Sequence, residues 1–413
     1  MQLSVPCCLL IVLRFLAFFK TPSSSSFLLK SDGTSLRSFR MRRRTHAGRG
    51  STIEFSSSNN INSLQVPVLQ RSVVFGDYQG PVKDQVERTP QKIGRNQLLV
   101  QVQAVGLNPV DAKQVVGDKL PDGWFKKLLH NIMVRNTRVG FDFAGTVVKS
   151  KSSEYYPPGT NIFGTMPPLK GSCAPYIVVP THQVTCMPRN LSFAQAAALP
   201  LVGLTAWQAL QPHIVAGQSN VLVVGASGGT GHVALQVAKA LGANQVVAVC
   251  GASNVDLCRS CGATQVINYQ DGDVVARLEQ LGVSFDLVLD CVTSADPRDS
   301  SLNYPQQIQS SHILSNNYLY QRLGGLTPDW IRAFLKRVCL PPCWRNPQEQ
   351  LFWITFPHSS EQLMELGKLA EMGQLAPKIS KTFSGLTAAN VQEGFDDILT
   401  RRVQGKIVVE GML

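Results

Sequence analysis

The sequence predicts an α/β protein, a doubly wound parallel sheet joined to a mostly antiparallel, barrel-like domain. Three observations carry this expectation. Residues 97–105 (QLLVQVQAV) alternate apolar and polar side chains, the period of a half-buried strand. From Asn220 onward, short apolar runs recur with helical intervals between them, as in a parallel sheet covered on both faces. Between Asn190 and Ala238 there is no Asp, Glu, Lys or Arg in 49 residues, which few surfaces tolerate and which a helix packed beneath a buried strand requires. With 413 residues, 44% hydrophobic and 16% charged, the chain can form two globular domains, and its composition argues against a disordered or polyanion-coating protein.

Residues 1–64 read as a targeting or disordered segment. Residues 1–60 hold nine Lys or Arg against two acids, so +7 of the formal +12 charge sits in an N-terminal arm. Basicity placed there marks targeting rather than a nucleic-acid face, and no nucleic-acid partner is expected. The apolar stretch Leu9–Phe19 is interrupted by Arg14 and falls short of the roughly 20 residues that span a bilayer, so no stable membrane span is expected. The Ser-rich and Arg-rich stretches that follow have transit-peptide composition, which predicts import into an organelle, plastid ahead of mitochondrion.

Short strands and turns then fill residues 65–189, the first part of one domain. Residues 190–357 form the second, with strands expected at Asn220–Val224, Gln245–Cys250, Gln265–Asn268, Phe285–Cys291, His312–Leu319 and Leu351–Phe356. The stretch Thr293–Asn346 is longer and more irregular than such a sheet needs and carries no functional reading. Gln404–Val409 (QGKIVV) reads as a strand after the second domain has finished, so residues 358–413 should return to the first.

The segment Asn220–Ala243 (NVLVVGASGGTGHVALQVAKALGA) holds the clearest chemistry: an apolar strand, a glycine-rich turn and a helix. Gly225, Gly228, Gly229 and Gly231 keep side chains away from a diphosphate, and the helix N-terminus, with Ser227 and Thr230 beside it, offers free N–H groups and partial positive charge. This is the dinucleotide turn of a Rossmann sheet. The same residues satisfy GxSxG, with Ser227 as a hydrolase nucleophile and His312 or His358 as a base. No HGG-type oxyanion sequence precedes it, however, and Gly231 in the helix's first turn suits a dinucleotide. The next strand ends Cys250-Gly251-Ala252-Ser253-Asn254, without the acid that usually accepts bonds from the ribose of NAD. Ser253 and Asn254 can donate to a 2′-phosphate, so NADPH is the expected cofactor. The competing reading makes them helix caps. Cys258 and Cys261 form a CxxC and Cys339 and Cys343 lie four apart, but Cys258 packs equally well as a small apolar residue, and no metal site is expected.

Seven ordered segments complete the case: GLNPVDAK at 106–113, GFDFAGTV at 140–147, AAALPLVGLTAWQAL at 196–210, the glycine turn, GATQVINY at 262–269, FDLVLDCV at 285–292, and the closing strand. From about residue 70 onward the chain resembles the quinone oxidoreductase-like branch of the medium-chain dehydrogenase/reductases, which includes a mitochondrial reticulon-interacting oxidoreductase and plastid alkenal or enone reductases. The resemblance implies a GroES-like catalytic domain beside the Rossmann domain, and NADPH-dependent hydride transfer to a quinone or an α,β-unsaturated carbonyl, an enone or enal. Zinc-dependent relatives hold their catalytic metal with a Cys where this chain has Asn108 and a His where it has Phe141, so a zinc-independent reaction is implied. The resemblance also places Asn108 beside the nicotinamide as the catalytic residue, Thr205 and Lys406 near the cofactor, Ser227–Gly231 on the diphosphate, and Ser253, Asn254 and Tyr269 around the 2′-phosphate. Trp124, Phe141 and Phe163 are expected to line the cleft. Two departures stand out. Relatives often carry a Lys at Asn254, and a Tyr proton donor shortly after NPxD, where Val115–Trp124 has none. They give weight to a second reading, a non-catalytic NADPH-binding partner protein. Self-association as a homodimer is left open.

Overall fold

The computed structural model describes residues 66–116, 124–151, 155–167, 170–292, 304–323, 349–351 and 359–412. The expectations for residues 1–64, most of Thr293–Asn346, residues 352–356, Cys339, Cys343, His358 and the Trp124 side chain lie outside them.

The strands are β1 (Leu69–Val74), β2 (Lys83–Arg88), β3 (Gln97–Leu107), β4 (Asp142–Ser150), β5 (Asn161–Thr165), β6 (Tyr176–Pro180) and β7 (Val184–Cys186). They continue as β8 (Asn220–Val224), β9 (Gln245–Cys250), β10 (Gln265–Asn268), β11 (Phe285–Asp290), β12 (Leu314–Arg322), β13 (Glu349–Leu351), β14 (Ile379–Ser384) and β15 (Lys406–Glu410). The α-helices are α1 (Pro109–Val116), α2 (Trp124–Met133), α3 (Phe193–Ala197), α4 (Pro200–Leu210) and α5 (Gly229–Ala240). Then come α6 (Val255–Ser260), α7 (Val274–Glu279), α8 (Tyr304–Gln309), α9 (Ser359–Glu371) and α10 (Ala388–Leu399).

Six parallel strands run β10-β9-β8-β11-β12-β13, the order 3-2-1-4-5-6 of a doubly wound sheet. Strand β8 shows why its sequence is apolar throughout. Val221 and Val223 face one buried cluster and Leu222 and Val224 face another, so no position after Asn220 meets water. The uncharged run is explained by the first of these clusters, which takes in residues of α3, α4, β8 and α5 together with Ala104, Ala144 and Phe163 of the antiparallel sheet. The strand order reverses between β8 and β11, and ligands of such sheets bind beyond the carboxyl ends of the strands at that point.

The second sheet runs β14-β15-β3-β4-β5-β7, with β6 also on β3. Strand β3 holds it together: residues 97–101 pair with β6, 98–106 with β4 and 104–107 with β15. Expected at 404–409, the closing strand forms at 406–410, and all its pairing lies in this sheet, although it follows the parallel sheet in sequence. The interior is filled by alternating residues such as Leu98, Val100, Val102 and Val105. Phe163, expected at the cleft, is fully buried in the interlayer core, and Phe141 is 8% exposed. Strand β12 begins two residues later than its expected start. Cys258, fully buried among apolar neighbours, packs as a small hydrophobe.

Candidate active site

The segment Asn108-Pro109-Val110-Asp111 starts α1 for plain physical reasons. Proline at the first helical position lacks the N–H that would be orphaned there, and the Asp111 carboxylate accepts the Asn108 backbone N–H at 3.2 Å. Capping holds Asn108 at the end of β3. Its side chain then donates from Nδ2 to Asp142 Oδ2 at 3.0 Å, while its Oδ1 accepts from the Lys406 ammonium at 2.5 Å. Lys406 also donates to the Leu107 carbonyl at 2.9 Å and lies 3.4 Å from Asp142 Oδ2. The other Asp142 oxygen accepts the Leu201 N–H at 2.9 Å, so a strand carboxylate caps the first turn of α4. Four polar side chains, from the link between β3 and α1, from α1, from β4 and from β15, thus meet where all are nearly inaccessible: Asn108 and Asp142 fully, Asp111 at 1% and Lys406 at 3%.

Burial disfavours every charge in this group. It pushes the Asp111 carboxyl up to about 8, with the neighbouring Asp142 charge adding to the rise and the Lys406 ammonium opposing it. Asp142 is raised by the same desolvation, against the pull of Lys406 and the Asn108 bond, and burial lowers Lys406 against the two carboxylates. With a protonated Asp111, the cluster holds one ammonium and one carboxylate, a neutral balance that a buried site demands. At the two positions where zinc-dependent relatives carry Cys and His, the side chains here supply no free metal donor. Asn108 has both amide atoms engaged, Phe141 offers only carbon, and an ammonium already occupies the centre. Among the described residues no group of three or more His, Cys, Asp and Glu could hold an ion.

From this cluster the Lys406 stem runs back to the glycine turn. A Cβ on Gly229 would come within 3.3 Å of Lys406 Cδ and of the Gly405 carbonyl. At the turn itself, Gly225 has φ +74°, and its missing Cβ would meet Val292 Cγ2 at 2.3 Å. Gly231 packs so close that a Cβ would stand 2.3 Å from the Gly225 carbonyl. Gly225 and Ala226 both donate to the Val249 carbonyl at 3.0 Å, which ties the turn to the end of β9. No side chain caps α5 at Gly228, so the first N–H groups of Gly229, Thr230 and Gly231 remain for a ligand. A dinucleotide diphosphate fits this cradle of bare backbone at a helix N-terminus.

The remaining expected residues separate into two places. Ser253 is exposed and Asn254 partly buried in the turn after β9, and Asn254 Oδ1 is buried without a hydrogen-bond partner. Tyr269, 51% exposed, lies against the same turn, since a Cβ on Gly251 would approach its hydroxyl to 3.1 Å. Thr205 stands apart, its hydroxyl donated to the Leu201 carbonyl one helical turn earlier at 2.7 Å. Lys406, expected near the cofactor, presents its stem to the turn and its charge to Asn108 and Asp142. No base for Ser227 stands out among the described residues: both ring nitrogens of His232 are bonded to main chain, and His312 is exposed in a turn ahead of β12.

Asp111, Asp142, His232 and Gln236 were not singled out by sequence reasoning. A signal existed for two of them. Asp142 is a carboxylate set between Phe141 and Phe143 at the start of a mostly apolar strand, and His232 is the one titratable group in the first two turns of an otherwise uncharged helix start.

Residues 94–189 match the alcohol dehydrogenase GroES-like domain family, and residues 229–307 the zinc-binding dehydrogenase family. The chain is 30% identical over 334 residues to mouse mitochondrial NAD(P)H oxidoreductase RTN4IP1, covering 76% of this chain and 81% of that protein. It is also 30% identical over 332 residues to the trans-enoyl reductase pgmF of Aspergillus terreus, covering 77% and 87%. Among solved structures, the quinone oxidoreductase of Coxiella burnetii superposes with a TM-score of 0.64 at 27% identity, over 83% of this chain and 99% of that one. With the 3-2-1-4-5-6 sheet, the glycine cradle and the strand return all in place beside these likenesses, the chain belongs to the medium-chain dehydrogenase/reductase superfamily of oxidoreductases.

Proposed function

We propose that this protein is a zinc-independent, NADPH-dependent oxidoreductase that delivers hydride to a quinone or to an α,β-unsaturated carbonyl. The observation that carries the reading is the bare glycine cradle of residues 225–231, set at the switch point of the parallel sheet and linked through Lys406 to Asn108. When bound there, NADPH supplies the hydride. Gly225, Ser227, Gly228, Gly229, Thr230 and Gly231 hold its diphosphate. Ser253, Asn254 and Tyr269, in a turn free of acids from 250 to 254, read its 2′-phosphate. Asn108, fixed by Asp142 and Lys406, borders the nicotinamide, with Thr205 on the facing helix.

The acceptor class follows from the same cluster. An alcohol needs a Lewis acid to be ionised, and this chain has Asn108 and Phe141 where zinc-dependent relatives carry the Cys and His that hold one. A conjugated carbonyl or quinone is already polarised and needs only hydride and a proton. The names of the relatives, an NAD(P)H oxidoreductase and a trans-enoyl reductase, agree with this class. The test is NADPH oxidation followed across a panel of quinones, enones and enals. Tight NADPH binding with no turnover on any acceptor would instead support the non-catalytic partner protein that the missing tyrosine suggests.

The basic, acid-poor first 60 residues support import into an organelle. The relatives' printed names favour the mitochondrion, whereas a plastid destination rests on leader composition alone. A fluorescent fusion of residues 1–65 that stayed cytosolic would remove both.

A further inference from the structure

The histidine in the helix that follows the glycine turn is fully buried, and the reaction proposed above has no use for it. His232 Nε2 accepts the Lys378 backbone N–H at 2.9 Å, so that nitrogen carries a lone pair. The proton therefore sits on Nδ1, which donates to the Gly228 carbonyl at 2.8 Å. Burial lowers the imidazole to about 4, with the Lys406 charge also lowering it and the Gly228 bond opposing, and the ring is neutral near pH 7.

Followed outward, these bonds close on themselves. Lys378 also offers its carbonyl, which accepts the Lys406 N–H at 2.9 Å. Gly405, covalently before Lys406, donates its N–H to the Ser227 carbonyl at 3.0 Å, and Ser227 is covalently joined to Gly228. The ring thus runs Gly228, His232, Lys378, Lys406, Gly405, Ser227. Gly405 has no room for a side chain, because a Cβ would stand 2.2 Å from the Lys378 carbonyl. One helical turn beyond His232, Gln236 reinforces the same stretch ahead of β14, accepting the Ala376 N–H at 2.8 Å and donating to its carbonyl at 3.1 Å. The imidazole is the one side chain in the ring; every other link is backbone.

We propose that His232 is a positioning residue, which holds the dinucleotide turn in register with the strand carrying Lys406, and so with Asn108. It touches neither cofactor nor substrate. The NADPH part of this inference rests on the function proposed above, whereas the ring itself does not. Its sequence logic is specific: the task needs a donor on one edge and an acceptor on the other in a single neutral side chain, and a helix position four residues after the Gly228 carbonyl.

The test separates the two edges. His232→Asn keeps a donor for Gly228 and loses the acceptor for Lys378, whereas His232→Gln can return an acceptor near the Nε2 position. Amide hydrogen exchange of the full chain without cofactor should speed up in His232→Asn across residues 376–379. It should also speed up at 404–407 and 225–231, which that edge of the imidazole does not touch, and recover in His232→Gln. Faster exchange confined to 376–379 would show a local contact and overturn the proposal. The wild type alone gives a second reading: ¹⁵N NMR should find His232 with the proton on Nδ1, and a proton on Nε2 would overturn the ring. A calorimetric titration then asks whether NADPH binds. His232→Asn should weaken it by about two- to tenfold, the worth of one hydrogen bond. A wild type that binds no NADPH would refute the proposed function while the exchange result still decides the ring.

Discussion

Removing the Lys406 ammonium is the sharpest perturbation of the buried cluster. Lys406→Met keeps the apolar stem against Gly229 and deletes three contacts to oxygen, at 2.9, 2.5 and 3.4 Å. Asp142 then keeps bonds from Asn108 Nδ2 and the Leu201 N–H but has no counter-charge, in a site that water does not reach. Breaking one side of a buried pair costs about 3–5 kcal/mol, far above the ~0.2–1 kcal/mol of an exposed pair. Asp142→Asn alone should cost less than Lys406→Met, since an amide can still accept from Leu201. In the double variant the Asn108 amide can flip, because its oxygen no longer serves an ammonium. The double variant should therefore be more stable than the two single losses added together, by about 1–3 kcal/mol. Urea unfolding of the four proteins at neutral pH measures this. Additivity within about 0.5 kcal/mol would mean that the ammonium and the carboxylate do not depend on each other.

Two titrations should act in opposite directions. His232 is lowered to about 4 in the fold, so its unfolded form gains a proton first as pH falls. Stability should drop between pH 6.5 and about 4, by about 1.4 kcal/mol per pH unit and about 3 kcal/mol in all, and His232→Gln should flatten that limb of the urea midpoint curve. Asp111 is raised to about 8, so the unfolded chain loses its proton first as pH rises from 3.8, and stability should decline toward pH 8. Asp111→Asn, which imitates the protonated acid, should remove that decline. Gly231→Ala sets a Cβ 2.3 Å from the Gly225 carbonyl and should cost about 1–3 kcal/mol as well as weaken dinucleotide binding, read by thermal melts and titration. At the adenosine end, Asn254→Asp should lower affinity for NADPH about tenfold or more relative to NADH, Asn254→Lys should raise it, and Tyr269→Phe should act weakly in the first direction.

The fold was legible where chain chemistry is local. Val221 to Val224 face both ways into apolar clusters, so their run of β-branched and leucine residues announces a covered strand, and Gly225 announces the turn that follows. Strand ends within the parallel sheet were close for the same reason. The expectation for Phe163 fared less well. Phe163 sits on the face of β5 that meets the interlayer core, and alternation alone does not say which face of a barrel strand borders a second domain.

The site divides along a similar line. Asn108, the glycines and Asn254 belong to short motifs whose residues act within a few positions of one another. The ammonium of Lys406 is different, because its partners Asn108 and Asp142 lie 298 and 264 residues away, and nothing near position 406 names them. Asp142 is the informative case. A carboxylate with apolar neighbours on both sides must be neutralised and hydrogen-bonded or else bear the full cost of desolvation, so its presence implies a distant cation and donors. The sequence holds few cations in apolar strands, and Lys406 in QGKIVV is one. Pairing buried charges across strands would have joined them, since β15 and β4 flank β3, and the Lys406 stem lies against Gly229 of the glycine turn. The His232 ring escapes even this rule, since every partner of the imidazole in it is a backbone group, with no side-chain identity to read. Only the fold that brings residues 378 and 405 to the turn makes that histidine more than a core residue.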